Sequence, residues 1–125
     1  MTAIVSALLV DDEPDIRKIG AMSLERVGKW KVRVAASGAE ALRLAFESAP
    51  DVIILDVMMP GMDGPATLSA LRADPRTAKV PVVFMTAKVL GHEVDGWLAL
   101  GAAGVVRKPF DPMTLPEDIR KAAGL

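Results

Sequence analysis

Residues 51–56 read Asp51-Val52-Ile53-Ile54-Leu55-Asp56, and the four positions between the two aspartates are apolar without a break. A strand with one wet face alternates polar and apolar residues. A short unbroken apolar run instead suits a strand covered on both faces, as in a parallel sheet sandwiched between helices. Three further runs, Ala3–Val10, Val80–Met85 and Gly104–Val106, have the same character. A fifth, Trp30–Ala35, differs: Trp30, Val32 and Val34 alternate with Lys31 and Arg33, the pattern of a half-exposed edge.

Helix signals fall between the runs. Pro14 can open a first helix carrying Ile16, Ile19, Ser23 and Val27, closed by Gly28. Ser37 and Glu40 form a capping-box pattern ahead of Leu42, Leu44, Ala45 and Phe46. Pro65 starts a third helix through Leu68 and Leu71 that stops at Asp74-Pro75. A fourth carries Val94 and Leu98 before Gly101, and a short fifth runs from about Pro116 to Ala123. Five strand–helix units joined by right-handed crossovers, with the second strand at an edge, give the order 2-1-3-4-5. The expected fold is therefore α/β, a flavodoxin-like (βα)5 three-layer sandwich. Its ligand site lies beyond the carboxyl ends of the strands.

Composition narrows the function. The 125 residues suffice for one ordinary domain, and 51% hydrophobic with 25% charged residues excludes a disordered tail. Fifteen basic and sixteen acidic side chains nearly cancel, so no strong field favours nucleic acid or an anionic membrane. The absence of Cys removes disulfides, thiolate metal sites and thiol catalysis together. The apolar run from Ala3 lacks a basic flank and is cut off by Asp11-Asp12-Glu13, too short to span a bilayer. A cytoplasmic location is expected.

The expected strand ends carry complementary chemistry. Asp11 and Asp12 follow the first strand, Asp56 the third, Thr86 the fourth, and Lys108-Pro109 the fifth. Three carboxylates and one ammonium leave a local charge of about −2, costly unless a cation joins. An all-oxygen set without His or Cys suits Mg2+. With the ion in place the site can accept a phosphoryl group. Asp56 is then the nucleophile, Asp11 and Asp12 hold the metal, Lys108 balances phosphoryl charge and Thr86 donates a hydroxyl hydrogen bond. Each residue alone has an ordinary explanation, as a helix-terminal charge, a cap, a strand residue or a solvated lysine. Four strand ends supplying matched chemistry do not.

Leu9-Val10-Asp11-Asp12-Glu13-Pro14, the stretch from Leu55 through Asp56, Met58, Pro60 and Gly61 to Gly64, Met85-Thr86-Ala87 and Val106-Arg107-Lys108-Pro109-Phe110 resemble the successive motifs of the response-regulator receiver domain, CheY-like. The resemblance covers essentially the whole chain. It implies one receiver domain over 1–125 with no output domain, and a signalling protein rather than a metabolic enzyme. Asp56 would be phosphorylated by a histidine kinase or histidine phosphotransfer protein and would signal to a downstream protein as a monomer or a phosphorylation-dependent dimer. It also implies that Asp12, Asp56 and the Met58 backbone carbonyl ligate Mg2+ directly, that Asp11 acts through water, and that Lys108-Pro109 is a cis peptide.

The chain departs from the family pattern three residues before Lys108, where many receivers carry an aromatic side chain and this one has Val105. Output then rests on the loop from Ala87 to Gly91, or on an altered face of helix four, strand five and helix five. At the positions flanking the phosphoryl group stand Met58 and Lys88, neither suited to orienting a hydrolytic water, so a long-lived phosphorylated state is expected. His92 is read as solvated and Trp97 as core or core-edge. Two readings compete: a phosphohydrolase working through an aspartyl phosphate, and a degenerate receiver-like scaffold. The lack of a second acid in Asp56-Val57-Met58 counts against the first, and the complete acidic set against the second.

Overall fold

The computed structural model describes residues 4–87 and 91–125. Strands β1 (Ser6–Val10), β2 (Lys31–Ala35), β3 (Val52–Asp56), β4 (Val82–Thr86) and β5 (Gly104–Arg107) alternate with helices α1 (Pro14–Arg26), α2 (Gly38–Glu47), α3 (Gly64–Ala73), α4 (Gly91–Ala99) and α5 (Leu115–Ala123). All pairings are parallel and the order is β2-β1-β3-β4-β5, the expected three-layer sandwich. Ala3, at the start of the first apolar run, lies outside the described residues, and the strand itself begins at Ser6.

The unbroken runs explain the two cores. In β3 the odd and even side chains point to opposite faces, and both faces are covered. Ile53 and Leu55 join Leu8, Leu68, Leu71 and Phe84 beneath α2, α3 and α4. Val52 and Ile54 join Leu9, Leu24, Leu115 and Ile119 beneath α1 and α5. Every residue of β3 and β4 is buried, whereas β2 is an edge with Lys31 and Val34 exposed. Arg33 on β2 reaches across to α2, donating to the Leu44 carbonyl at 2.8 Å and to the Ser48 carbonyl.

Helix α2 starts on the anticipated cap: the Glu40 amide donates to Ser37 Oγ at 3.1 Å. Glu40 returns its carboxylate to the Ala36 amide at 2.6 Å, one residue earlier than in a standard capping box. In α1 the inward stripe departs from the reading of the sequence. Ser23 is buried as expected, but Ile19 and Val27 are exposed, and Gly20 and Leu24 complete the inward stripe. A Cβ on Gly20 would lie 2.7 Å from Leu9 Cδ2, so the helix sits too close to the sheet for a larger residue there. Ser23 donates its hydroxyl to the Pro112 carbonyl, tying α1 to the segment before α5.

Candidate functional site

Register places the acids. β1 and β3 pair with Val10 opposite Leu55, so the next residues, Asp11 and Asp56, emerge side by side. The sheet continues past its formal ends: the Asp11 amide donates to the Ala35 carbonyl at 3.1 Å, Val57 to Met85 at 3.3 Å, and Lys108 to Thr86 at 2.8 Å. Side chains from β1, β3, β4 and β5 are thereby delivered from a rigid backbone rather than from a free loop.

Asp11 is wholly buried, Asp56 and Thr86 nearly so, and Asp12 half-buried. Oxygens of Asp11, Asp12 and Asp56 all lie within 4.8 Å of one another. Lys108 Nζ stands 2.7 Å from Asp11 Oδ2 and 3.3 Å from Asp56 Oδ1, so its shorter contact is to Asp11 and not to the expected nucleophile. Asp11 Oδ1 accepts from the Glu13 amide at 2.9 Å, and Asp56 Oδ1 accepts from the Met58 amide at 3.4 Å. The Met58 side chain itself is 78% exposed. The Lys108-Pro109 bond is cis.

Burial, and then the Asp11 charge, push the Asp56 carboxyl up to about 6, against the opposing pull of Lys108. Burial draws the Lys108 ammonium down, but hydrogen bonds and charges from Asp11 and Asp56 outweigh it and leave the group above its ordinary value. These shifts describe carboxylates gathered with less positive charge than they need. The donor set is oxygen only and converges on one point, so it fits a hard divalent cation such as magnesium.

The loop after Asp56 returns sharply. Gly61 adopts φ +74°, and the Gly64 amide donates to the Val57 carbonyl at 3.0 Å. A Cβ on Gly64 would fall 2.6 Å from the Asp56 carbonyl oxygen, so only glycine permits this return. Asp63 then caps α3 through the Ala66 amide at 2.9 Å.

A cavity of about 240 Å³ opens beside the acids, lined by Asp56, Met58, Thr86 and Lys108 together with Glu93 and Trp97 of α4. The last two were not anticipated as site residues, although their i, i+4 spacing places them on one helix face. Arg17 was also missed. Its guanidinium donates to the Asp11 carbonyl at 2.8 Å, a reach from α1 that no local sequence pattern encodes. His92 is exposed on the first turn of α4, as expected. Lys88 and most of the loop between Ala87 and Gly91 lie outside the described residues.

Residues 7–120 match the family of the response regulator receiver domain. The chain belongs to that family. Among relatives of this receiver domain, Response regulator Rre1 of Synechocystis sp. is 40% identical over 117 residues, covering 93% of this chain and 50% of that protein. Probable transcriptional regulator ycf27 of Guillardia theta is 44% identical over 115 residues, covering 90% and 43%. The chain thus spans about half the length of these curated relatives. Among solved structures, chemotaxis protein CheY4 of Vibrio cholerae superposes with a TM-score of 0.89 at 34% identity, covering 96% of this chain and 99% of that one. The receiver domain is accordingly a CheY-like module of two-component signalling, not a classical enzyme. Among its described residues no helix is long and apolar enough to cross a membrane.

Proposed function

We propose that this receiver domain accepts a phosphoryl group on Asp56 from a histidine kinase or histidine phosphotransfer protein, in a reaction that depends on Mg2+. The convergence of Asp11, Asp12 and Asp56 within 4.8 Å, with Lys108 against two of them, carries this reading. Asp11, Asp12, Asp56 and the Met58 carbonyl would hold the ion, which supplies positive charge to the equatorial phosphoryl oxygens.

Asp56 provides the attacking carboxylate oxygen, which bonds to phosphorus as the bond from phosphorus to the donor nitrogen breaks. The nitrogen keeps the electron pair and takes up a proton. Lys108, already between Asp11 and Asp56, swings its ammonium toward the incoming phosphoryl oxygens. Thr86, at the end of β4, donates its hydroxyl to another of them. A cavity of about 240 Å³ beside Asp56 has room for the phosphoryl group.

The product is a conformational state read by another protein, in the cytoplasm. Residues 1–125 act as one receiver unit. Two residues after Asp56 the sequence has Met58, and two after Thr86 it has Lys88; neither side chain is suited to orienting a hydrolytic water, so the phosphorylated form is long-lived. Incubation with Mg2+ and acetyl phosphate should add one phosphoryl mass to the intact protein, and Asp56→Ala should abolish the gain. An unmodified wild-type mass would favour the scaffold reading.

A further inference from the structure

The cavity beside Asp56 has one polar and one apolar side. Asp56, Thr86 and Lys108 form the polar part, with Glu13 and Glu93 also on the lining; Val57, Met58, Ala87 and Trp97 form the other. Of these four, Trp97 comes from a different layer of the fold. It is the buried residue of α4, a helix otherwise half-exposed or exposed along its length. Its ring meets Phe84 edge-on, with centroids 5.5 Å apart and planes at 73°.

Phe84 is fully buried, two residues before Thr86 on the same strand. Its neighbour across β5 is Val105, a side chain too small to fill a ring-sized volume. The indole is therefore wedged between the strand that carries Thr86 and the space a phosphoryl group must occupy.

An acyl phosphate on Asp56 is lost when a water oxygen bonds to phosphorus and the bond from phosphorus to the Asp56 oxygen breaks. The carboxylate is regenerated and inorganic phosphate leaves with the proton. That step needs a water beside the phosphoryl group, and the indole fills the α4 side of the cavity, so truncating it would enlarge the space open to such waters. We propose that Trp97 is a positioning residue that limits the water space on the α4 side of phosphorylated Asp56 and so lengthens the lifetime of the acyl phosphate. The proposal rests on the phosphoacceptor reading above.

The test loads the full chain with acetyl phosphate in Mg2+, removes the donor, and follows intact mass with time. Trp97→Ala should shorten the lifetime about five- to tenfold, and Trp97→Phe should restore it to within about twofold of the parent. Mg2+ affinity, measured calorimetrically, should stay within about twofold in both, which a general lesion of the fold would not allow.

Because truncating a buried indole lowers stability, a second measurement leaves the residue in place. In Trp30→Phe, Trp97 is the sole indole, and its emission and acrylamide quenching should change in step with the mass gain. Normal loading with parental decay in Trp97→Ala, or full loading with unaltered Trp97 emission, would overturn the proposal while leaving the phosphoacceptor reading intact. No mass gain in the parent would overturn both.

Discussion

Asp51 and Asp56 bracket the same strand, and their surroundings are opposite. At the amino end, Asp51 Oδ2 accepts from the Val5 amide at 2.8 Å and the Ser6 amide at 3.0 Å, while its own amide donates to the Ser6 hydroxyl at 3.2 Å. Two neutral backbone donors converge on that carboxylate, and it locks β1 to β3. At the carboxyl end, Asp56 meets Asp11 and Asp12, one shared lysine and a long contact from Met58. The first aspartate is a clasp. The second is left wanting positive charge, and that deficit supports its proposed role as a cation and phosphoryl site.

The contrast should be largest when Mg2+ is added. At a free concentration a hundredfold above its Kd, binding to the folded state alone raises unfolding free energy by about 2.7 kcal/mol. Thermal melts should shift upward by roughly 10 °C. Asp12→Asn should remove most of that gain, and Asp51→Asn should keep it. Equal shifts in the two variants would erase the distinction between the strand ends.

A smaller effect concerns pH without metal. Asp56 titrates near 3.8 when unfolded and at about 6 when folded. Between those values the folded state holds a proton that the unfolded chain has released, so stability falls as pH rises through the window. The expected loss is about 1–2 kcal/mol once solvent screening is allowed for. Urea titrations at steps across the window should show this slope, and Asp56→Asn should flatten it.

Smallest is the effect of removing the clasp. Asp51→Ala should cost about 1 kcal/mol, because the freed Val5 and Ser6 amides lie near solvent and can recover water. A urea midpoint would register the loss, while the mass gained from acetyl phosphate should be unchanged.

Much of the fold could be read from the chain because its strands are buried on both faces, which writes them as unbroken apolar runs. The edge strand stood out for the opposite reason. Asp11, Asp12, Asp56, Thr86 and Lys108 were legible because a parallel sheet sends its strand ends to one side. Helix α1 was misread at Gly20, which joins Ser23 on the inward stripe, since close approach to the sheet there selects a residue that carries no hydrophobic signal. Arg17 and Trp97 escaped for another reason. Arg17 reaches back six residues to the Asp11 carbonyl and Trp97 reaches the cavity beside Asp56 from another layer, and neither reach is encoded in a local sequence pattern.

The reach of Arg33 from β2 to α2 has a bearing on solubility. β2 offers an unpaired row of amides and carbonyls along one edge of the sheet, a template on which a second chain could add a strand. Lys31 places a charge on that edge, and Arg33 spends its guanidinium on the Leu44 and Ser48 carbonyls at the end of α2. An intruding strand would bring its neighbours against the Lys31 charge. The opposite edge, β5, is only 4 residues long and ends in the exposed Arg107. Charge guards one border of the sheet and brevity the other, so edge-to-edge aggregation is disfavoured on both sides.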